Sequence, residues 1–349
     1  MSLRPRTGWR TSGTAVLLAA ATSLALVVSA GPASAKPDAD VLLDGLSSPK
    51  GVTIAADQNP IVSQGAFGPP GPVLEYQLRG RDRGTTSALT GPVGLNDVAA
   101  TADGGGWALT SERPIHLLRA TPDGDVSAAV NITAYQRAHP DPNDQDGDPK
   151  GSNPYGLAAL PNGDALVSDA MHNDLLRITE TGDVTLVARF LPEMIGGINA
   201  EAVPTTVTIG PDGAAYVGEL KGFPFQVGSS RIWRVSPDAT AAECSSTGSS
   251  GGCSEYASGF TAIQDIAFNN NNGVMYVYEL AAEGVLAFEE GFGTGVFPSA
   301  VLLKMHNGRQ TELVPGQLSQ PGGVAVARNG TVFVTDGVFT GGRLLLVRG

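Results

Sequence analysis

Asn96-Asp97 and Gln264-Asp265 each set an amide and a carboxylate side chain directly before an apolar stretch. Two such pairs facing one another could hold Ca²⁺, another divalent cation or an ordered water; alternatively, each Asp caps its own local turn. A denser set of hard oxygens lies in His139-Pro-Asp-Pro-Asn-Asp-Gln-Asp-Gly-Asp-Pro-Lys150, which puts Asp141, Asn143, Asp144, Asp146 and Asp148 within eight residues. Asp144-Gln-Asp146-Gly-Asp148 partly matches a calcium loop. It lacks the twelve-residue frame and the terminal bidentate Glu, so a metal-free acidic loop is the competing reading. His172 in Met171-His-Asn-Asp174 could act as a base or ligand, or be an ordinary surface histidine.

Nucleophilic catalysis finds little support. No Gly-X-Ser-X-Gly or Ser-X-X-Lys stands in a usable context, no His-Glu-X-X-His occurs, and the four histidines are scattered along the chain. A different chemistry is offered by phenylalanine. Seven of the eleven, Phe67, Phe223, Phe225, Phe288, Phe292, Phe297 and Phe339, fall outside the apolar stretches. They either seal the tops of their own sheets or line a mouth for a small apolar or aromatic molecule, with Phe223, Phe225, Phe292 and Phe297, joined by His172, as candidate ligand contacts.

The elements that would position these groups follow from a repeat. Pro49-Lys-Gly-Val52, Leu95-Asn-Asp-Val98, Pro154-Tyr-Gly-Leu157, Pro204-Thr-Thr-Val207, Ile263-Gln-Asp-Ile266 and Pro321-Gly-Gly-Val324 open successive apolar stretches at spacings of 46, 59, 50, 59 and 58 residues. Within the units the period is two, and Pro161-Asn-Gly, Pro211-Asp-Gly and Arg328-Asn-Gly330 supply hairpin turns. This predicts an all-β, six-bladed β-propeller. The sixth unit ends on Leu344-Leu-Leu-Val-Arg348 with no fourth strand after it. Asp40–Leu46 is expected to supply that strand and close the ring.

Antiparallel strands gather the starts of first strands, the ends of second strands and the connections between blades on one face, here called upper. The longest connections, 132–153, 221–230 and 280–299, fall there, so any site is expected on that face. Gln64, Ser111, Asp169, Glu219, Glu279 and Asp336 recur at second-strand ends. Residues repeated in this way are expected to accept hydrogen bonds from the backbone of the adjoining connection. The residues just before the first strands do not repeat, and only units two and five carry a carboxylate there. In a six-membered ring those units are opposed, so Asp97 and Asp265 should face each other across the central opening.

Residues 1–35 combine Arg4, Arg6 and Arg10, an apolar run from Ala15 to Val28 and a small-residue exit at Ala33-Ser-Ala35, the build of a cleaved secretory signal. The mature chain is then one domain, 36–349, whose formal charge falls from −12 to −15 with the loss of three arginines. Such acidity disfavours nucleic acid and anionic membranes, and no membrane insertion is expected. In an exported chain Cys244 and Cys253 should form a disulfide.

Gly151-Ser-Asn-Pro-Tyr-Gly-Leu-Ala158, Pro161-Asn-Gly-Asp-Ala-Leu-Val-Ser-Asp-Ala170 and Asn173-Asp-Leu-Leu-Arg177 resemble the ScyD/ScyE family, exported propellers named for scytonemin pigment gene clusters. The resemblance spans essentially the whole mature chain and implies a fold and a secreted location, with no assigned catalytic residues. More distantly the units are similar to NHL-type repeats and to gluconolactonase and virginiamycin B lyase propellers. Gluconolactonase-like enzymes hold a divalent cation at the central channel with acidic and amide side chains, for which Asp97, Asp265 and Asn153 are the nearest candidates. The lyase's histidine-based pair has no counterpart.

Two functions are therefore expected. One is a secreted, monomeric, non-catalytic propeller that binds a small molecule or extracellular polymer; the other is a divalent-cation-dependent hydrolase or lyase at the channel mouth.

Overall fold

The computed structural model describes residues 38–348; the segment expected to be a secretory signal lies outside them. Six blade sheets follow one another along the chain, with a two-stranded hairpin, Glu193–Ile195 and Ile198–Ala200, between the third and fourth. Blade 1 has strands Val52–Ile54, Pro60–Val62, Leu74–Tyr76 and Thr86–Ala88; blade 2 has Leu95–Ala100, Gly106–Thr110, His116–Ala120 and Val126–Asn131. Blade 3 is Pro154–Ala159, Ala165–Asp169, Asp174–Ile178 and Val184–Phe190; blade 4 is Pro204–Ile209, Ala215–Glu219, Ser230–Val235 and Cys253–Phe260. Blade 5 is Ile263–Asn269, Val274–Glu279, Val301–His306 and Arg309–Leu313. Blade 6 contributes Val324–Val326, Val332–Asp336 and Gly342–Arg348, and its fourth strand is Asp38–Leu46 from the other end of the chain. That strand pairs antiparallel with the last, Asp40 opposite Leu346 and Val41 opposite Leu345, as the missing strand requires.

Each sheet is apolar on both faces, so each can be stable only between two neighbours. The second strands of blades 3, 4 and 6 are buried at every position. Each seam between blades has its own apolar cluster: Trp107, Leu109 and Leu117 meet Val167 and Leu176 between blades 2 and 3, and Tyr276 and Leu302 meet Val334 and Leu345 between blades 5 and 6. Fully burying a side chain of this size contributes about 1.5–3 kcal/mol. The hairpin turns read from the sequence place Gly163, Gly213 and Gly330 at φ +94°, +78° and +88°, backbone that favours residues without a Cβ.

Several elements carry no period-two signal. Helix Ile132–Ala138 opens the connection from blade 2 to blade 3, with the Asn131 side chain accepting the Ala134 N–H at 2.9 Å as its cap. Helix Val285–Thr294 lies between the second and third strands of blade 5 and ends at Gly295, φ +74°. Ala242–Cys244, within the excursion before the fourth strand of blade 4, adds a parallel fifth strand to the edge of blade 3. Because Cys244 is bonded to Cys253, with Cα atoms 5.4 Å apart, the disulfide fastens that added strand to blade 4.

The acceptors at second-strand ends do what the repeat implied. Gln64, Asp169, Glu279 and Asp336 take the backbone N–H groups of Ser47, Asn153, Thr261 and Ser319, each just ahead of its own blade, at 2.6–2.8 Å. Glu219 departs from the pattern and binds the Trp233 indole and the Lys221 ammonium instead. Ser111 donates to the Gly65 carbonyl.

Burial pushes the Glu279 carboxyl up to about 7, against the Thr261 N–H that holds it down and with repulsion from Glu312. Unfolded, it would release its proton near the ordinary value of 4.5. Between those values the native state holds a proton that the unfolded chain lacks, so this group's contribution is full below about 4.5 and is lost as pH rises through about 7. Urea denaturation at pH 5 and pH 8 should show Glu279→Gln shrinking the loss of stability across that interval, by on the order of 3 kcal/mol.

Candidate functional site

The six first strands converge on a central channel of about 260 Å³, lined by residues such as Thr53, Asp97, Thr208, Asp265 and Asn270. The motif Pro/Leu/Ile-X-X-Val/Leu/Ile turns each chain segment into its first strand, so the third motif position of every blade falls at the start of that strand. Asp97 and Asp265 occupy it in blades 2 and 5 and both line the channel, whereas Asn153 is not among the lining residues.

Neither carboxylate has an idle oxygen. Asp97 Oδ1 accepts its own neighbour's N–H, Val98, at 2.8 Å, and Oδ2 accepts the Leu157 N–H of blade 3 at 2.9 Å. Asp265 Oδ1 accepts the Thr206 hydroxyl of blade 4 at 2.5 Å and the Ile266 N–H at 2.8 Å, while Oδ2 accepts the Val324 N–H of blade 6 at 2.7 Å. Each Asp therefore ties its blade to the next as well as capping its own turn. The approach is close enough that a Cβ on Gly51 would collide with Asp97 Oδ1, which leaves glycine as the residue that fits there.

The cation whose field reaches both carboxylates is a lysine. Lys50 is buried, donates from Nζ to the Tyr155 carbonyl at 2.7 Å and stands 3.7 Å from the centroid of the Tyr155 ring. Gln264 Nε2 donates to the Tyr155 hydroxyl at 2.6 Å, and Asn96 Nδ2 to the Pro154 carbonyl at 3.1 Å. Lys50, Asn96, Tyr155 and Gln264 all hold the second position of the repeated motif, so blades 1, 2, 3 and 5 are bridged by these residues. Burial lowers the Lys50 ammonium's pKa, opposed by attraction to Asp97 and Asp265. Burial raises Asp97 to about 7, with Lys50 opposing and Asp265 adding to the rise. Asp265 moves upward for the same cause, restrained by Thr206, Val324 and Lys50. Reading the third motif position alone found the carboxylates; the unlike residues at the second position were the signal for Lys50, Tyr155 and Gln264.

Elsewhere on the upper face, the acidic loop brings oxygens of Asp144 and Asp146 within 4.8 Å of Glu201, which comes from the connection between blades 3 and 4. Gln145 N–H donates to Glu201 at 3.1 Å, and its side chain accepts from Asn199 at 2.7 Å. His172 is buried beneath this loop: Nδ1 lies 2.9 Å from the Gly151 carbonyl and Nε2 2.9 Å from the His139 carbonyl. It touches both ends of the loop and is not part of the phenylalanine group.

All seven phenylalanines outside the strands belong to one continuous group. Phe67 lies 5.0 Å from Phe339, Phe339 5.1 Å from Phe292, and Phe292 5.1 Å from Phe297, centroid to centroid. Phe288 packs against Phe292, Phe297 and Phe339. Phe225 and Phe297 rest on the core formed by Leu280, Val285 and Phe288, and Phe223 stands edge-on to Phe225 at 6.0 Å. The group is part seal and part surface: Phe288 is 5% exposed, while Phe67, Phe223, Phe292 and Phe339 are 40–60% exposed.

The architecture is that of a β-propeller protein. Similar solved structures include a streptogramin B lyase (TM-score 0.51, 15% identity, covering 89% of this chain and 97% of that one) and a putative gluconolactonase (0.55, 12%, 90% and 92%). A third is the PQQ-bound aldose sugar dehydrogenase of Streptomyces coelicolor (0.55, 12%, 90% and 99%). Identities this low carry the fold alone. No family model and no curated protein matches the chain, and among the described residues no helix is long and apolar enough to cross a membrane.

Removing the Lys50 ammonium would leave two carboxylates buried without a counter-charge. Lys50→Met, which also strips the Tyr155 carbonyl of its donor, should lower the unfolding free energy at pH 8 by about 1–3 kcal/mol. In the Lys50→Met, Asp97→Asn double variant the combined loss should fall well short of the sum of the single losses. Additive losses in chemical denaturation would show that the two groups do not interact.

Proposed function

We propose that this chain is an exported binding propeller of the ScyD/ScyE type that captures a small apolar or aromatic molecule, free or carried on an extracellular polymer, at the phenylalanine group of its upper face. The observation that carries this reading is the continuity of seven rings from four blades, four of them substantially exposed. Soluble proteins seldom leave so large an apolar patch uncovered without a ligand. The Cys244–Cys253 bond supports an oxidising location. At the channel, Asp97 and Asp265 already accept backbone N–H groups of the neighbouring blades, a structural role that they fill without a cation.

Stacking on each ring contributes about 0.5–1.5 kcal/mol beyond area burial. Calorimetric titration with simple phenols and indoles should give saturable binding that Phe292→Ala and Phe339→Ala each weaken by several-fold to about tenfold. Unchanged affinity in both variants would dismiss the reading.

One observation favours a second function, a divalent-cation-dependent hydrolase or lyase on the same face. Asp144, Asp146 and Glu201 offer hard oxygens close together, the donor type that suits Ca²⁺, and a cation there could polarise a substrate carbonyl. Metal analysis of protein purified without chelator is expected to find one equivalent of Ca²⁺ that Glu201→Gln removes. Protein free of any divalent ion would leave only the binding function.

A further inference from the structure

Blade 1 is built from strands of only three residues, against five or six in blade 2. At about 3.4 Å per residue these strands run about 10 Å, roughly half the length of their neighbours. Blade 1 therefore covers only part of the face that blade 2 turns toward it. The seam reflects this. Val73, Leu95 and Val98 are its fully buried members, and Ile61, Ala108 and Leu118 are only partly covered. What is left is a cleft of about 440 Å³ between the two blades, within the range of small-molecule pockets. Leu89 and Val126 stand at it 49% and 54% exposed.

We propose that this cleft is a binding site for a neutral, hydrocarbon-rich small molecule. None of the residues lining it is charged or titratable, in a protein whose formal charge is −12. Its three side-chain hydroxyls are already engaged: Thr53 accepts from Ala100 N–H, Thr90 accepts from Val73 N–H and donates to the Gly91 carbonyl, and Thr121 accepts from Asp125 N–H. A charged ligand would lose its hydration with no counter-ion among the lining residues in return, and a peptide would bring many N–H and C=O groups against at most the Thr53 and Thr121 O–H donors. An apolar molecule loses nothing and removes aliphatic surface from water. The comparable cleft between blades 3 and 4 differs in kind, because the Arg177–Asp164 ion pair lines it. The site is also separate from the upper-face phenylalanines, none of which lines it, so it stands whether or not they bind a ligand.

The probe is N-phenyl-1-naphthylamine, which is neutral and brightens on leaving water, titrated into the full mature chain carrying Phe292→Ala and Phe339→Ala. The expected result is one saturable site per chain. Ala108→Phe, which fills the cleft, and Leu89→Asp, which puts a charge on its exposed edge without disturbing the core, should each weaken it at least tenfold. Absence of saturable binding, or binding indifferent to a folded Leu89→Asp variant, overturns the proposal. So does a dimer in light scattering that Leu89→Asp converts to monomer, since a second copy would then be the occupant.

Discussion

A sheet that is apolar on both faces has no stable end, and the architecture follows from that constraint. Five seams join blades that are neighbours in sequence. The sixth, between blades 6 and 1, unites Val52 and Val62 with Ala325 and Phe333, and blade 6 is itself completed by pairing residues about three hundred positions apart, such as Asp40 and Leu346. Chain-closure entropy grows only logarithmically with length, at about 0.6 kcal/mol per doubling, so spanning 300 residues instead of 20 adds roughly 2.5 kcal/mol. Burial of Leu46, Leu344, Leu345 and Val347 at about 1.5–3 kcal/mol each outweighs that cost. Closure is favourable because it completes two apolar faces at once.

The convergence of first strands creates a second problem, which charge solves. Where blades crowd the axis, the N–H groups of Leu157 and Val324 point toward the neighbouring blade, and a carboxylate from that blade meets each of them. The same crowding removes water, which is why burial is the leading cause of the raised pKa values at Asp97 and Asp265 and of the lowered one at Lys50. One buried ammonium acting on two buried carboxylates leaves a deficit of positive charge, met in part by the raised pKa of Asp97, about 7. A divalent cation would balance the charges more fully. The hydrogen bonds that join the blades draw on the same oxygens that would ligate it.

Much of this could be read from residues alone, and the rest could not for identifiable reasons. Strand order, ring closure and the acceptors at second-strand ends recur in most units, and recurrence is what a single sequence displays. The opposition of Asp97 and Asp265 followed from their unit numbers. Lys50 escaped notice because a lone lysine in a loop is usually solvated, and its burial depends on Tyr155 crossing from a blade two positions away. His172 was legible as a candidate, but its burial was not, because the loop from His139 to Gly151 that folds over it lies some twenty residues or more before it in sequence. The two short helices and the added strand at Ala242–Cys244 sit in connections, where no period constrains the residues.

The two apolar surfaces have different physical origins. The phenylalanine group is carried by connections, which contribute little to the seams and can vary without opening the ring. The cleft between blades 1 and 2 is made by the scaffold itself. The first unit spans 46 residues against 50–59 in units two to five, and a blade cut down in this way leaves part of its neighbour's face bare. The glycines and alanines of blade 2 that border the gap, Gly104-Gly-Gly106, Ala108 and Ala120, present little side-chain volume to fill it. A short blade with large residues opposite would have closed the seam, and small residues opposite a full-length blade would have been covered by it. The combination of short strands and small residues leaves the space open, and the two features meet at this seam.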